Sequence, residues 1–195
     1  MKKTSKLFKT FLAAALLTLF SCANNSSDSS SDFPSIPEFD DSTLQEGAIA
    51  VYSDTINESQ SGYSLAGITK IYFFENNTFL IHMAASTIMA ADSFTIKTIQ
   101  NYDFAKGTYD GDPTKDGTIQ ARMDEQIDKN DIDSKIKKLT MAELLKNYSA
   151  SAISIEVTNE VLPLEPTGYT EFETITISNR KMYIPKEPHP YIRSK

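Results

Sequence analysis

The chain has 195 residues, 19 basic and 26 acidic, with two histidines, one cysteine and no tryptophan. A net charge of −7 excludes a phosphate-binding surface built from surplus lysine and arginine, and so argues against nucleic acid as a partner. A single cysteine excludes an intramolecular disulfide, so the fold must rest on its apolar core.

The opening residues, MKKTSKLFK, carry Lys2, Lys3, Lys6 and Lys9 with no acid among them. The apolar run FLAAALLTLF follows from Phe11 to Phe20. As a helix it would be about 15 Å long, roughly half of what a membrane-spanning helix must cross. A basic start, a short apolar middle and a small residue at the exit describe a secretory signal peptide over residues 1–21. Cys22 stands directly after it, in the stretch Leu19-Phe20-Ser21-Cys22.

That stretch resembles the lipobox of bacterial lipoproteins. The resemblance implies that the Cys22 sulfur takes a diacylglyceryl group, with cleavage before it and Leu19 and Ser21 as recognition positions. It also implies a cell-envelope protein held by acyl chains. Ala23, where an aspartate would mark retention, directs the resemblance to the outer membrane. Two acyl chains make a stable anchor where one gives only reversible binding.

Cleavage would leave 174 residues, 15 basic against 26 acidic, for a net charge of −11. In ANNSSDSSSD (23–32) Ala23 is the one apolar side chain, too little burial to offset the entropy of ordering. Pro34 and Pro37 favour extended backbone in the segment that follows. Residues 22–46 are therefore expected to be a disordered tether, and 47–195 a single β-rich domain.

Beyond Gly47 most segments alternate with period two. GAIAVYSD (47–54) predicts a first strand, and KIYFFENNTFLIHMA (70–84) a hairpin turning at Glu75-Asn76-Asn77. FTIKTIQNYDF (94–104) predicts another strand. FAKGTYDGDPTKDGTIQARM (104–123) reads as two strands around a polar turn, with Ile119, Ala121 and Met123 on one face. ISIEV (153–157) places Ile153, Ile155 and Val157 inward, and TEFETITISNRKMYIP (170–185) predicts a hairpin turning at Asn179-Arg180. One segment has helical spacing: in LTMAELLKNY (139–148), Met141, Leu144, Leu145 and Tyr148 share a face, and Thr140 with Glu143 has capping-box spacing. A charged loop, 124–138, is expected before it.

Seven or eight strands with one helix predict an antiparallel barrel or a strongly curved sheet. The order of NTFLIHMA (77–84), Gly107–Tyr109, and Asp116-Gly117 before a returning strand is similar to the lipocalin-like domains of bacterial lipoproteins. Lipocalins pack a tryptophan near the first strand, and this chain has none. Whether the barrel is hollow or filled therefore stays open.

Asp110, Asp112, Thr114 and Asp116 offer oxygens at alternate positions, a calcium-like pattern. An EF-hand loop requires glycine at its sixth and glutamate at its twelfth position, and Lys115 and Ala121 stand there. Asp, Pro and Gly are also what a hairpin turn requires. The acids Asp124, Glu125, Asp128, Asp131 and Asp133 interleave with lysines and read as a solvated loop. His82, opposite in its strand to Phe79, Ile81 and Met83, is expected at the solvent or rim, and His189 in a tail between two prolines. Glu171 and Glu173 read as outward positions of one strand. No catalytic, metal or cofactor constellation emerges. Tyr72, Phe73, Phe74, Phe79, Phe94, Tyr102, Phe104 and Tyr109 form a core or line an apolar pocket.

Two functions fit these readings: a membrane-anchored, non-catalytic lipoprotein binding a small apolar ligand, or an envelope module for protein–protein interaction. Replacing Cys22 by alanine is expected to release the protein from the membrane fraction. Intact-mass measurement of the native protein checks the same point, since a mature chain without acyl mass would overturn the anchor.

Overall fold

The computed structural model describes residues 34–91, 94–147 and 149–195. A short helix α1, Ser42–Gly47, leads into β1, Ala48–Gln60. Strands β2 (Tyr63–Phe74), β3 (Thr78–Ala91), β4 (Phe94–Asp110) and β5 (Gly117–Gln126) follow. Helix α2 (Lys129–Lys146), β6 (Ala152–Val157) and β7 (Glu165–Pro166) come next. The chain then forms β8 (Glu173–Ser178), β9 (Lys181–Tyr183) and β10 (Tyr191–Arg193).

Pairing runs β1-β2-β3-β4-β5-β8-β9-β10 and returns from β10 to β1, each pair antiparallel. The chain is therefore mainly β and forms a closed eight-stranded barrel with up-and-down connections, one of its two helices short. Helix α2, β6 and β7 are an insertion between β5 and β8. Within it β6 runs parallel to Thr95–Gln100 of β4, and β7 caps the end of β5. Strand β10 closes the barrel with Tyr52 opposite Arg193 and Ser53 opposite Ile192. The Tyr52 hydroxyl donates to the Pro113 carbonyl (2.7 Å) and the Val51 N–H to that of Lys195 (3.3 Å), which brace the seam.

The turns form where Asn, Asp and Gly allow them. Asn77 takes φ 61°, and the Asn76 carboxamide oxygen accepts from the Thr78 N–H (3.2 Å) and hydroxyl (2.6 Å). Asn179 and Arg180 have φ 52° and 62°, the paired positive values of a tight hairpin. Gly107 sits at a register shift between β4 and β5, where a β-carbon would strike the Arg122 carbonyl and come within 2.6 Å of the Phe79 ring.

Alternation sorts the side chains. Ile119, Ala121 and Met123 are buried, as are Ile153, Ile155 and Val157. Phe73 stands at the centre of the barrel, edge-on to Tyr52 (6.0 Å) and Tyr109 (5.0 Å) and tilted against Phe79 (6.0 Å). The void left among Ile71, Phe73, Phe79, Ile81, Ile175 and Met182 is about 10 Å³, the room of a single water. The barrel is filled.

Three expectations change. Helix α2 starts at Lys129, so most of the anticipated charged loop is helical. Its inward row is Ile132, Ile136, Leu139 and Leu144, whereas Met141 and Leu145 are 58% and 72% exposed. Steps of four and three set the row from Ile132 through Leu139, Leu144 follows after five, and neighbouring charges pair outside it, as Asp131 does with Lys135 (3.4 Å). No capping box forms: the Thr140 hydroxyl donates to the Ile136 carbonyl inside the helix, and Glu143 pairs with Lys146. Tyr148 lies outside the described residues. Second, Glu171 precedes β8 and is exposed while Glu173 opens the strand half-buried, so the two do not share a strand face. Third, α1 and the residues before it belong to the folded body from Pro34 onward, inside the stretch assigned to the tether.

Gly107→Ala is expected to cost about 3 kcal/mol or more by urea denaturation, because backbone cannot yield to the added methyl. Ile132→Ala is expected to cost about 2–4 kcal/mol and Leu145→Ala less than about 0.5, the reverse of what a helix facing inward through Leu145 would give.

Candidate functional site

Ile71, Phe73, Phe79 and Ile81 point into the barrel, so alternate residues Lys70, Tyr72, Leu80 and His82 point outward. Register places Lys70 opposite His82, and His82 opposite Asp103, making one row across β2, β3 and β4. A strap, residues 34–41, lies over this row. The Phe39 ring stacks on the His82 ring at 4.4 Å, and the Lys70 ammonium sits 5.2 Å from the centre of Phe39.

Asp41 ends the strap in a polar knot. Its Oδ2 accepts from Lys70 Nζ (2.6 Å), the Tyr72 hydroxyl (2.6 Å) and Gln45 Nε2 (2.7 Å). Burial opposes the charge on Asp41, but the three hydrogen bonds outweigh it and hold the carboxyl at about 2. The same contact, added to burial, pushes the Tyr72 hydroxyl well up. Behind the knot, Leu44 and Phe74 pack on a small satellite core of Ala48, Val51, Tyr72 and Leu80.

His82 is buried, at 8% exposure, and not at the rim. Its Nδ1 meets Asp103 Oδ1 at 2.9 Å and its Nε2 meets the Asn101 carboxamide at 3.0 Å. An ionised carboxylate only accepts, so Nδ1 donates to Asp103, and the Asn101 amide serves Nε2 by presenting oxygen or nitrogen. Asn159 fixes Asp103 in turn, accepting from its N–H (2.8 Å) and donating to its carbonyl (2.9 Å). The pair has the composition of a catalytic dyad, but the Nε2 edge that a general base would use is taken and one ring face is covered. The arrangement positions a peptide segment. Between the strap, Ile68 and Lys70 there is an open cleft of about 550 Å³.

The remaining singled-out residues lie apart from this row. Cys22, Leu19 and Ser21 lie outside the described residues. Asp112 accepts from Thr114 and pairs with Lys115 (2.8 Å), contacts that hold its carboxyl below the usual range. Asp116 accepts from the Asn179 N–H at 3.0 and 3.1 Å. These acids knit two turns together. Among the described residues no group of three or more His, Cys, Asp or Glu is placed to hold a metal ion, and no helix is long and apolar enough to cross a membrane. His189 is exposed.

Composition hid the strap, because its six polar or proline residues read as a linker; the Phe39 and Asp41 pair was its one visible signal. Comparison with protein-family models, curated proteins and solved structures found no match.

The Asp41 carboxyl is lower in the folded state than its ordinary 3.8. Its contribution is therefore fully present above about pH 4 and is lost as the pH falls through about 2, amounting to about 1–2 kcal/mol. Acid titration of stability should show this slope in the wild type and not in Asp41→Asn.

Proposed function

We propose that this chain is a lipid-anchored, non-catalytic protein of the cell envelope that works as an interaction module, its barrel serving as a rigid scaffold. The observation that carries the reading is the filled interior. A ligand pocket takes about 300–1,000 Å³, and the void inside this barrel is about 10 Å³. Lipocalin-like connectivity is thus retained without the cup in which a small apolar ligand would sit. What the fold offers instead is outer surface: a strap held on one sheet face, and four strands of 12 to 17 residues that outrun partners of three.

The anchor belongs to the same reading. Cys22 carries the acyl chains, the outer membrane receives them, and the acidic domain stands in the aqueous compartment beside it. Large exposed apolar side chains among the described residues are spread over four elements: Met141 and Leu145, one turn apart on α2, Phe172 before β8, Tyr183 on β9 and Ile192 on β10. Phe172 is moreover covered by the Arg122 guanidinium at 5.1 Å. A partner would therefore be engaged by backbone or charge more than by an apolar patch.

A fluorescent fatty acid distinguishes scaffold from carrier. The native protein is expected to give no saturable binding, and a Phe73→Ala variant, with a ring removed from the barrel centre, to gain it. Stoichiometric binding by the native protein, unaffected by Phe73→Ala, would overturn the scaffold reading.

A further inference from the structure

Strand β1 is flanked by β10 for a short distance only. The register of Tyr52 on Arg193 and Ser53 on Ile192 would, if continued, set Thr55 against Pro190 and Asn57 against Pro188. Proline has no N–H to donate and is tolerated only where a ladder ends. The ladder stops there. From Asp54 to Gln60, β1 is paired to β2 on one side, and its other edge has no ladder partner among the described residues.

This edge is extended, about 23 Å long, and well supported from behind. Its Cα partners in β2 run without a shift from Thr69 opposite Asp54 to Tyr63 opposite Gln60. Backbone groups alternate between the two edges of a strand. Val51 bonds toward the C-terminal segment through both its N–H and its carbonyl, so Thr55, Asn57 and Ser59 present theirs on the same, open side. Thr55, Asn57, Glu58, Ser59 and Gln60 are all exposed. From Asp54 through Thr69 the hairpin carries two acids, Asp54 and Glu58, and no base.

We infer that the open edge of β1, Asp54–Gln60, is a strand-addition site for an extended partner segment carrying lysine or arginine. Main-chain hydrogen bonds to Thr55, Asn57 and Ser59 supply the binding, and Asp54 and Glu58 supply the preference for basic side chains. A second copy of the chain is the disfavoured occupant, since self-pairing would bring both carboxylates of each copy into one short ladder. This inference rests on the interaction-module reading and narrows it to one surface and one chemistry of partner.

The test uses the full mature protein and a fluorescent heptapeptide of alternating lysine and valine, read by anisotropy. Saturable binding is expected, weaker by about tenfold or more for Asn57→Pro, which removes one outward N–H and leaves the β2 ladder whole. A glutamate–valine peptide should bind at least about tenfold more weakly. The double variant Asp54→Lys with Glu58→Lys should invert that order, and it keeps the question answerable should Asn57→Pro fail to fold. Equal binding by folded Asn57→Pro, indifference to peptide charge, or no binding at all would overturn the inference. So would a dimer in sedimentation that Asn57→Pro abolishes, since the occupant would then be a second copy. None of these outcomes bears on the fatty-acid measurement, so the edge can fail while the scaffold reading stands.

Discussion

Phe73 meets Tyr52, Tyr109 and Phe79 at ring distances of 5.0 to 6.0 Å, so side chains from β1, β2, β3 and β4 converge on one point of the barrel axis. An eight-stranded barrel is just wide enough to be filled by such residues. Where they are aromatic and interlocked, the interior is spent on stability. Much else follows from that constraint. Gly107 must lack a side chain because the Phe79 ring occupies its space, and the register shift between β4 and β5 falls at the same place. What remains accessible to other molecules is the outside of the barrel and the strands that outrun it.

Much of this was legible from alternation. Ile119, Ala121 and Met123, or Ile153, Ile155 and Val157, announce one buried face each, and Asn77 and Asn179 announce the turns by tolerating positive φ. Three features were not legible, each for a physical reason. Helix α2 has a narrow inward row running through a highly charged stretch, so the exposed Met141 and Leu145 advertised the wrong face. Strand β10 spans Tyr191–Arg193, too short for any period to show. His82 alternates correctly with its apolar neighbours and does point out of the barrel, but the strap covers it. A strand pattern reports direction and carries no information about what a distant segment lays on top.

The strap also changes what the proposed anchor does. With residues 34–41 held by Phe39 on His82 and by Asp41 in its knot, the stretch between Cys22 and the folded body shortens from 22–46 to 22–33. Twelve links span at most about 40 Å even fully extended. On that proposal the folded body, of net charge −9, would be kept within a few screening lengths of the lipid surface. The strap's contacts, a carboxylate against Lys70 and an aromatic ring against His82, are of the kind that fix distance and orientation together.

The last link in the chain of causes lies in two prolines that, read as sequence, marked only a tail. Strand β10 must reach β1 to close the barrel, and Tyr191, buried at 2% exposure, brings it there. Pro188 and Pro190 then turn the preceding chain off the β1 edge, since neither can donate to it. Closure and the open edge are therefore two results of one local choice. A longer β10 would have paired with β1 to its tip and left it without an open edge. A long open edge is ordinarily a hazard that proteins blunt with charge. Here the blunting residues, Asp54 and Glu58, are of one sign, which repels a copy of the same chain while leaving the edge open to a segment of the opposite charge.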